Sequence, residues 1–264
     1  MANKLKNRLH NITDKIKSSI VYKSFRLFFS RPQNILFFIL IDLVFITLLV
    51  ILNGLMGLLL NTLKSSPIIL TLTITAINVI AVIIFYSIAK KKVLDVLFSY
   101  KDNKTISWSE LKAFIVMNFI IYFIFFIIIF IVAGLVYFTI KEDYFKNIIS
   151  VLLIIISIIA YAFINIAHIK YTKNKSFGFV LKSSWDSIGK FESYKPIVSS
   201  IIIFLSYLLF ISAISVLVTY IAFRMTQNTS ILEIYTMIVT IIGIIILYIS
   251  HLFNRIYYLN LIKE

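Results

Sequence analysis

Asp42 stands inside the run Ile39-Leu40-Ile41-Asp42-Leu43-Val44-Phe45-Ile46, an ionisable group among aliphatic side chains. A carboxylate so placed can take up a proton, hold a cation or pair with a base, because an uncompensated charge in apolar surroundings is costly. The bases set in comparable surroundings are His168, His251 and Arg255, the last two one helical turn apart. Uncharged polar groups follow helical spacing in the same kind of sequence. Ser157, Tyr161, Asn165 and His168 recur at intervals of 4, 4 and 3 residues. Thr236, Thr240, Gly243, Ser250 and Asn254 form a second stripe, Thr71, Thr75 and Asn78 a third, and Asp42, Asn53 and Gly57 a fourth.

Other chemistry is sparsely provided for. The chain has no His-Glu-x-x-His, no glycine-rich phosphate loop and no Gly-x-Ser-x-Gly. Its three histidines, His10, His168 and His251, are far apart in sequence, and cysteine is absent, which removes thiolate nucleophiles, disulfides and cysteine-ligated metals. No catalytic residue, metal site or cofactor is expected, and the chain is not expected to be an enzyme.

The elements that must position these groups are apolar runs. With 61% apolar and 14% charged residues among 264, the chain departs from the composition of soluble domains. About 20 apolar residues at ~1.5 Å each cross ~30 Å of hydrocarbon. Six such spans are expected, at about 34–60, 67–89, 113–140, 147–169, 197–223 and 232–256. The fold class that follows is an all-α integral membrane protein, a six-transmembrane-helix bundle with amphipathic cytoplasmic surface helices. Residues 1–33 form a basic amphipathic leader and 34–264 the membrane domain. No early apolar segment with a cleavage site precedes the first span, so that span is expected to be retained.

Charge sets the expected orientation. Lys and Arg number 22 in the leader, the connections 90–112 and 170–196 and the C-terminal end, against 4 in the remaining loops. The positive-inside rule then places both termini in the cytoplasm, in the cell membrane. The basic face suits membrane lipids with anionic headgroups. No aromatic-interleaved motif accompanies the charge, so a nucleic-acid partner is not expected.

Spans one, three and five begin near residues 34, 113 and 197, each after a basic leader, which suggests three helical-hairpin repeats. In the first leader Leu5, Leu9, Ile12, Ile16 and Ile20 share a face; in the third Phe177, Leu181, Trp185, Ile188 and Phe191 do. In the second, Ser107-Trp108-Ser109-Glu110 matches a capping box and starts the third helix inside the leader. Trp108 and Trp185 are candidate interfacial anchors. The three prolines, Pro32, Pro67 and Pro196, lie at span beginnings, where proline fits, so no span is expected to be broken.

The stretch Tyr22-Lys23-Ser24-Phe25-Arg26-Leu27-Phe28-Phe29-Ser30-Arg31-Pro32, a basic-aromatic helix running into a proline and the first span, resembles six-span prokaryotic membrane proteins of the glycerophosphodiesterase membrane-domain-like kind. The segment from Asn174 to Phe191, ahead of the fifth span, is similar to the same group. The resemblance implies a membrane module; the catalytic phosphodiesterase domain attached to some members has no counterpart in this sequence, and no active site carries over.

Counting depth from residue 34 brings Asp42 ~12 Å into the bilayer, in its cytoplasmic half. The same rise brings Asn118, Asn165, His168, His251 and Arg255 to similar depth. Asp42 is therefore expected to pair with Arg255 or His251, with His168 third, in a structural clamp; the rival expectation is a proton or cation site. The function expected is that of a non-enzymatic multi-pass membrane protein that organises membrane or lipid, or serves as the membrane subunit of a larger complex, with a protein partner or a homo-oligomer in view. The alternative is a small secondary transporter or permease component.

Overall fold

The computed structural model describes residues 19–30, 32–62, 68–98, 108–140, 142–174, 176–222 and 230–262. Every regular element among them is helical: α1 (Ile20–Ser30), α2 (Pro32–Thr62), α3 (Ile68–Phe98), α4 (Trp108–Thr139), α5 (Glu142–Lys173), α6 (Phe177–Ile188), a 3₁₀ turn (Phe191–Ser193), α7 (Lys195–Tyr220) and α8 (Ser230–Leu261). Six of these, α2 to α5, α7 and α8, are long and apolar enough to cross a membrane. The chain is a multi-pass membrane protein built as an all-α six-span bundle. Most of the first leader's stripe, Leu5 to Ile16, lies outside the described residues, as does Ser107 of the capping box.

The helices start where the sequence permits. Pro32 opens α2 and Pro196 lies in the first turn of α7, positions where a missing N–H costs nothing. The third span begins at Trp108 with Glu110 in its first turn, inside the leader as the capping box requires. The second span differs from expectation. Its helix does not stop at 89 but continues to Phe98, so Lys90, Lys91, Lys92 and Asp95 are helical residues and not loop charges. No glycine or proline interrupts Ile68–Phe98, and Val93 and Leu94 are buried, which rewards continuing the helix past the lysines.

Polar side chains on the exposed stretches are satisfied locally. Thr73, Thr75, Thr236 and Thr240 each donate to the carbonyl four residues back at 2.8 Å. Such bonds let a hydroxyl face hydrocarbon without a partner helix. The polar stripes thus act differently along their length: Thr236 and Thr240 close on their own helix, whereas Ser250 and Asn254 are buried.

The chain divides into two compact units, Arg31–Leu181 and Met1–Ser30 with Lys182–Glu264. In the second unit, the C-terminal half of α8 is the hub. Tyr258 donates to the Ser193 carbonyl at 2.8 Å, Tyr257 to the Glu192 carbonyl at 3.3 Å and Asn260 to Ser24 Oγ at 2.9 Å. Ser200 donates to Asn254 Oδ1 at 3.2 Å, joining α7 to α8. On the surface beside this hub, a 2.9 Å bond from Lys195 holds the Glu192 carboxyl below its ordinary range; so exposed a pair adds little to stability. Because Tyr258 and Ser193 are both buried, Tyr258→Phe strands a carbonyl and is expected to cost about 1–3 kcal/mol. Thermal unfolding in detergent measures it, with Tyr257→Phe, whose bond is longer, expected to cost less.

Further along the same helix pair, Gly243 faces Tyr207. A Cβ at 243 would sit 3.3 Å from Tyr207 Cε1, while the Tyr207 hydroxyl donates to the Val239 carbonyl at 2.5 Å. Glycine is there because the ring lies against the helix backbone. Gly243→Val is expected to break the tyrosine bond and lower the thermal midpoint, by more than Gly243→Ala does.

Candidate functional site

The polar groups expected at shared depth separate between the units: Asp42, Asn118, Asn165 and His168 belong to Arg31–Leu181, and His251 and Arg255 to the other. The expected pairing of Asp42 with His251 or Arg255 therefore joins residues of different units. Within Arg31–Leu181, α3 packs against α2 and α4, and α4 against α5. The three helices α3, α4 and α5 meet in a layer of buried polar side chains.

Its bonds run in one direction. Ser87 Oγ donates to the Ile83 carbonyl at 2.6 Å, a bond within its own helix, and so accepts from Asn118 Nδ2 at 2.9 Å. Asn118 Oδ1 is then the acceptor toward His168, whose Nε2 lies 2.5 Å away and must carry the proton. Lys90 donates to Asn165 Oδ1 at 2.8 Å, and Asn165 Nδ2 donates to the Tyr161 carbonyl at 2.8 Å. Ser87, Asn118 and His168 are fully buried, and Lys90 and Asn165 nearly so. His168 Nδ1 is also buried and has no hydrogen-bond partner among the described residues. A ring with one donated bond and one bare nitrogen suits the neutral imidazole, since a second N–H would be buried unpaired.

Aromatic rings enclose the layer. His168 lies 4.9 Å from the Phe114 ring centre and 6.0 Å from that of Tyr86. Tyr86 in turn contacts Phe45 of α2 and Tyr122 of α4 edge-on at 6.1 and 5.9 Å. Next to Lys90 in sequence, the buried Lys91 forms a hydrogen-bonded ion pair with Asp95, one turn further along α3.

Asp42 reaches this layer through helix register. Asn78 donates to Asn53 at 3.1 Å, and Phe45 meets Tyr86; the two contacts are eight residues apart on both α2 and α3, which fixes a regular antiparallel pairing. Three residues further the same pairing sets Asp42 opposite Ala89, next to Lys90 in sequence. Asp42 is 7% exposed and Lys90 6%. A buried carboxylate and a buried ammonium thus lie level on adjacent helices.

Distance along the helices locates the layer. Asp42 is 20 residues from Thr62, Ser87 19 from Ile68, Asn118 21 from Thr139 and Asn165 23 from Glu142. At ~1.5 Å per residue each is about 29–35 Å from the short-loop end of its hairpin, close to one hydrocarbon thickness. A hydrocarbon slab that began at the short-loop ends would have its opposite edge at this layer.

Sequence reasoning found Asn118, Asn165 and His168 but not Lys90, the cation that Asn165 holds. The available signal was Val93 and Leu94 beyond the lysines, an apolar continuation of the helix. Of the candidate anchors, Trp108 is 69% exposed at the start of α4 with Lys112 Nζ 5.9 Å from its ring centre, and Trp185 is exposed on α6. Compared with family models, curated proteins and solved structures, the chain matches none.

Proposed function

We propose that the chain is a non-enzymatic membrane module that organises lipid or serves as the membrane subunit of a larger complex. The observation that carries the reading is the layer itself: Ser87, Lys90, Asn118, Asn165 and His168 bond to one another across three helices, as a lock does, and aromatic rings cover them. A conduit would leave such groups turned toward a path. Outside the layer the spans present mostly apolar surface, and no residue of the most apolar stretch of α7 is buried, which suits lipid or partner helices. The membrane-module resemblance of residues 22–40 points the same way.

In this reading the cell membrane is the site of residence, with both termini cytoplasmic. The exposed Lys23, Arg26, Lys112, Lys182 and Lys190, with Trp108 and Trp185, meet anionic headgroups there. Protein reconstituted in vesicles of anionic lipid is expected to unfold at higher temperature than in zwitterionic vesicles, with the difference shrinking at high salt.

One observation favours the second reading, a small secondary transporter: the ionisable Lys90 and His168 are buried in one layer, and the register of α2 on α3 sets the buried Asp42 level with Lys90. Proteoliposomes loaded with a pH-sensitive dye under a proton or sodium gradient separate the two. The module reading expects flux no faster than in empty liposomes. Flux that saturates and vanishes in Asp42→Asn, with the folded fraction unchanged, overturns it.

A further inference from the structure

The rings exposed along the spans sort by chemistry. On the six spans, the tyrosines and tryptophans exposed among the described residues are Trp108, Tyr137, Tyr144 and Tyr220, each within two residues of a helix end. Between Trp108 and Tyr137 the exposed rings of α4 are Phe123, Phe126 and Phe130, which carry no polar atom. A phenol or an indole has an apolar body and a polar tip and is favoured where hydrocarbon meets water, whereas a phenyl ring is favoured within the hydrocarbon itself.

The spacing of the end rings recurs in the two units, each taken by itself. At the start of α4 the Trp108 ring has Lys112 Nζ 5.9 Å from its centre, and just ahead of α7 the Phe191 ring has Lys195 Nζ at 5.9 Å. Tyr137 follows Trp108 by 29 residues, and Tyr220 follows Phe191 by 29. Along α4 that is about 44 Å, or about 41 Å at an average tilt of ~20°. Along α7, Lys195 to Tyr220 is about 38 Å, with Phe191 a short turn further. No charged residue stands between Lys112 and Tyr137 or between Lys195 and Tyr220.

We propose that these ring pairs fit the chain to a bilayer whose hydrocarbon is ~30 Å thick, a lipid partner defined by chain length rather than by headgroup. A typical bilayer measures ~40–45 Å with its headgroup regions, so rings ~41–44 Å apart stand in the headgroup layer on both sides of a ~30 Å core. In a thinner bilayer the apolar surface next to the rings meets water. In a thicker one the Tyr137 and Tyr220 hydroxyls and the Lys112 and Lys195 ammoniums are drawn into hydrocarbon, where lipid tails supply no partner. The inference does not depend on the module reading, since a transporter would meet lipid through the same surface.

Two measurements on the full chain in phosphatidylcholine vesicles test this. The first reads depth from single-tryptophan variants: Trp185→Phe keeps Trp108, while Tyr137→Trp or Phe123→Trp is added to Trp108→Phe with Trp185→Phe. A quencher at the headgroup is expected to act about three-fold more strongly than one at the chain end on Trp108 and on the ring placed by Tyr137→Trp, and the order is expected to reverse for Phe123→Trp, midway between them. The second is the thermal midpoint in bilayers of monounsaturated chains from ~14 to ~22 carbons, expected to peak where the hydrocarbon is nearest ~30 Å and to fall by several degrees at either extreme. Trp108→Leu with Tyr137→Leu removes two surface rings and is expected to keep the fold and reduce that fall by about half, since the other unit keeps its own rings. Chain-end quenching dominant at either end ring, headgroup quenching dominant for Phe123→Trp, a midpoint that is flat or climbs steadily to one extreme, or a double variant with the parent's full peak overturns the proposal. Expression and elution volume of each variant, compared with the parent, show that it is folded.

Discussion

Lys90→Leu is expected to be among the most damaging single substitutions in the chain, costing about 3–5 kcal/mol, the range for breaking a buried charge pair by removing one member. Leucine fills much of the volume but removes the ammonium that donates to Asn165 Oδ1 and that lies level with the Asp42 carboxylate. Against a typical total stability of 5–15 kcal/mol, a loss of that size leaves much of the population unfolded or aggregated in detergent. Denaturation of the purified protein, followed by near-ultraviolet circular dichroism, gives the number. The charge logic has its own check. Asp42→Leu together with Lys90→Leu removes both ions and is expected to be markedly more stable than Lys90→Leu alone, because neither charge is then buried without its counterpart. A double variant no better than the single one would mean that Asp42 draws its compensation from a group other than Lys90.

Lys90 also shows what could be read in the sequence and what could not. The six spans were legible because their apolar runs exceed the bilayer thickness, a signal that depends on length alone. Asn118, Asn165 and His168 were legible as candidates because buried amides and imidazoles inside such runs are few and helical spacing puts them on faces. The lysines at 90 to 92 were misread because three cations after an apolar run look like the end of a span. The helix instead carries them inward, where Asn165 accepts from one and Asp95 pairs with another. Neither partner is visible from local periodicity, since Asn165 is 75 residues away. The bonds of Tyr258 to Ser193 and of Asn260 to Ser24 were beyond reach for the same reason: they depend on which helix ends meet, and nothing in the spacing of α8 names its neighbours. Asp42 falls between these cases. Its depth could be counted from the sequence, but its level with Lys90 required the register set by Asn53–Asn78 and Phe45–Tyr86.

Asn118→Leu is expected to disrupt the layer from its centre. Asn118 both donates and accepts across helix boundaries, to Ser87 on α3 and from His168 on α5. Its loss leaves the His168 N–H without an acceptor, in addition to the bare Nδ1, in a pocket closed by Phe114 and Tyr86. Ser87 suffers less, because its own proton still goes to the Ile83 carbonyl. The cost expected is about 1–3 kcal/mol for the stranded imidazole N–H, plus the strain of fitting a branched side chain where a planar amide lay. Three further variants separate hydrogen bonding from packing. Asn118→Asp keeps the shape and the acceptor toward His168 but presents only acceptors to Ser87, so it strains the bond on the α3 side and keeps the one on the α5 side. His168→Gln can still donate to Asn118 and should be milder than His168→Leu. The pair Asn118→Leu with His168→Leu removes donor and acceptor together and should cost less than the two single losses combined, the sign of a direct bond in a double-mutant cycle. Additive losses would show that the two residues contribute independently, and α4 would then be held to α5 by packing alone.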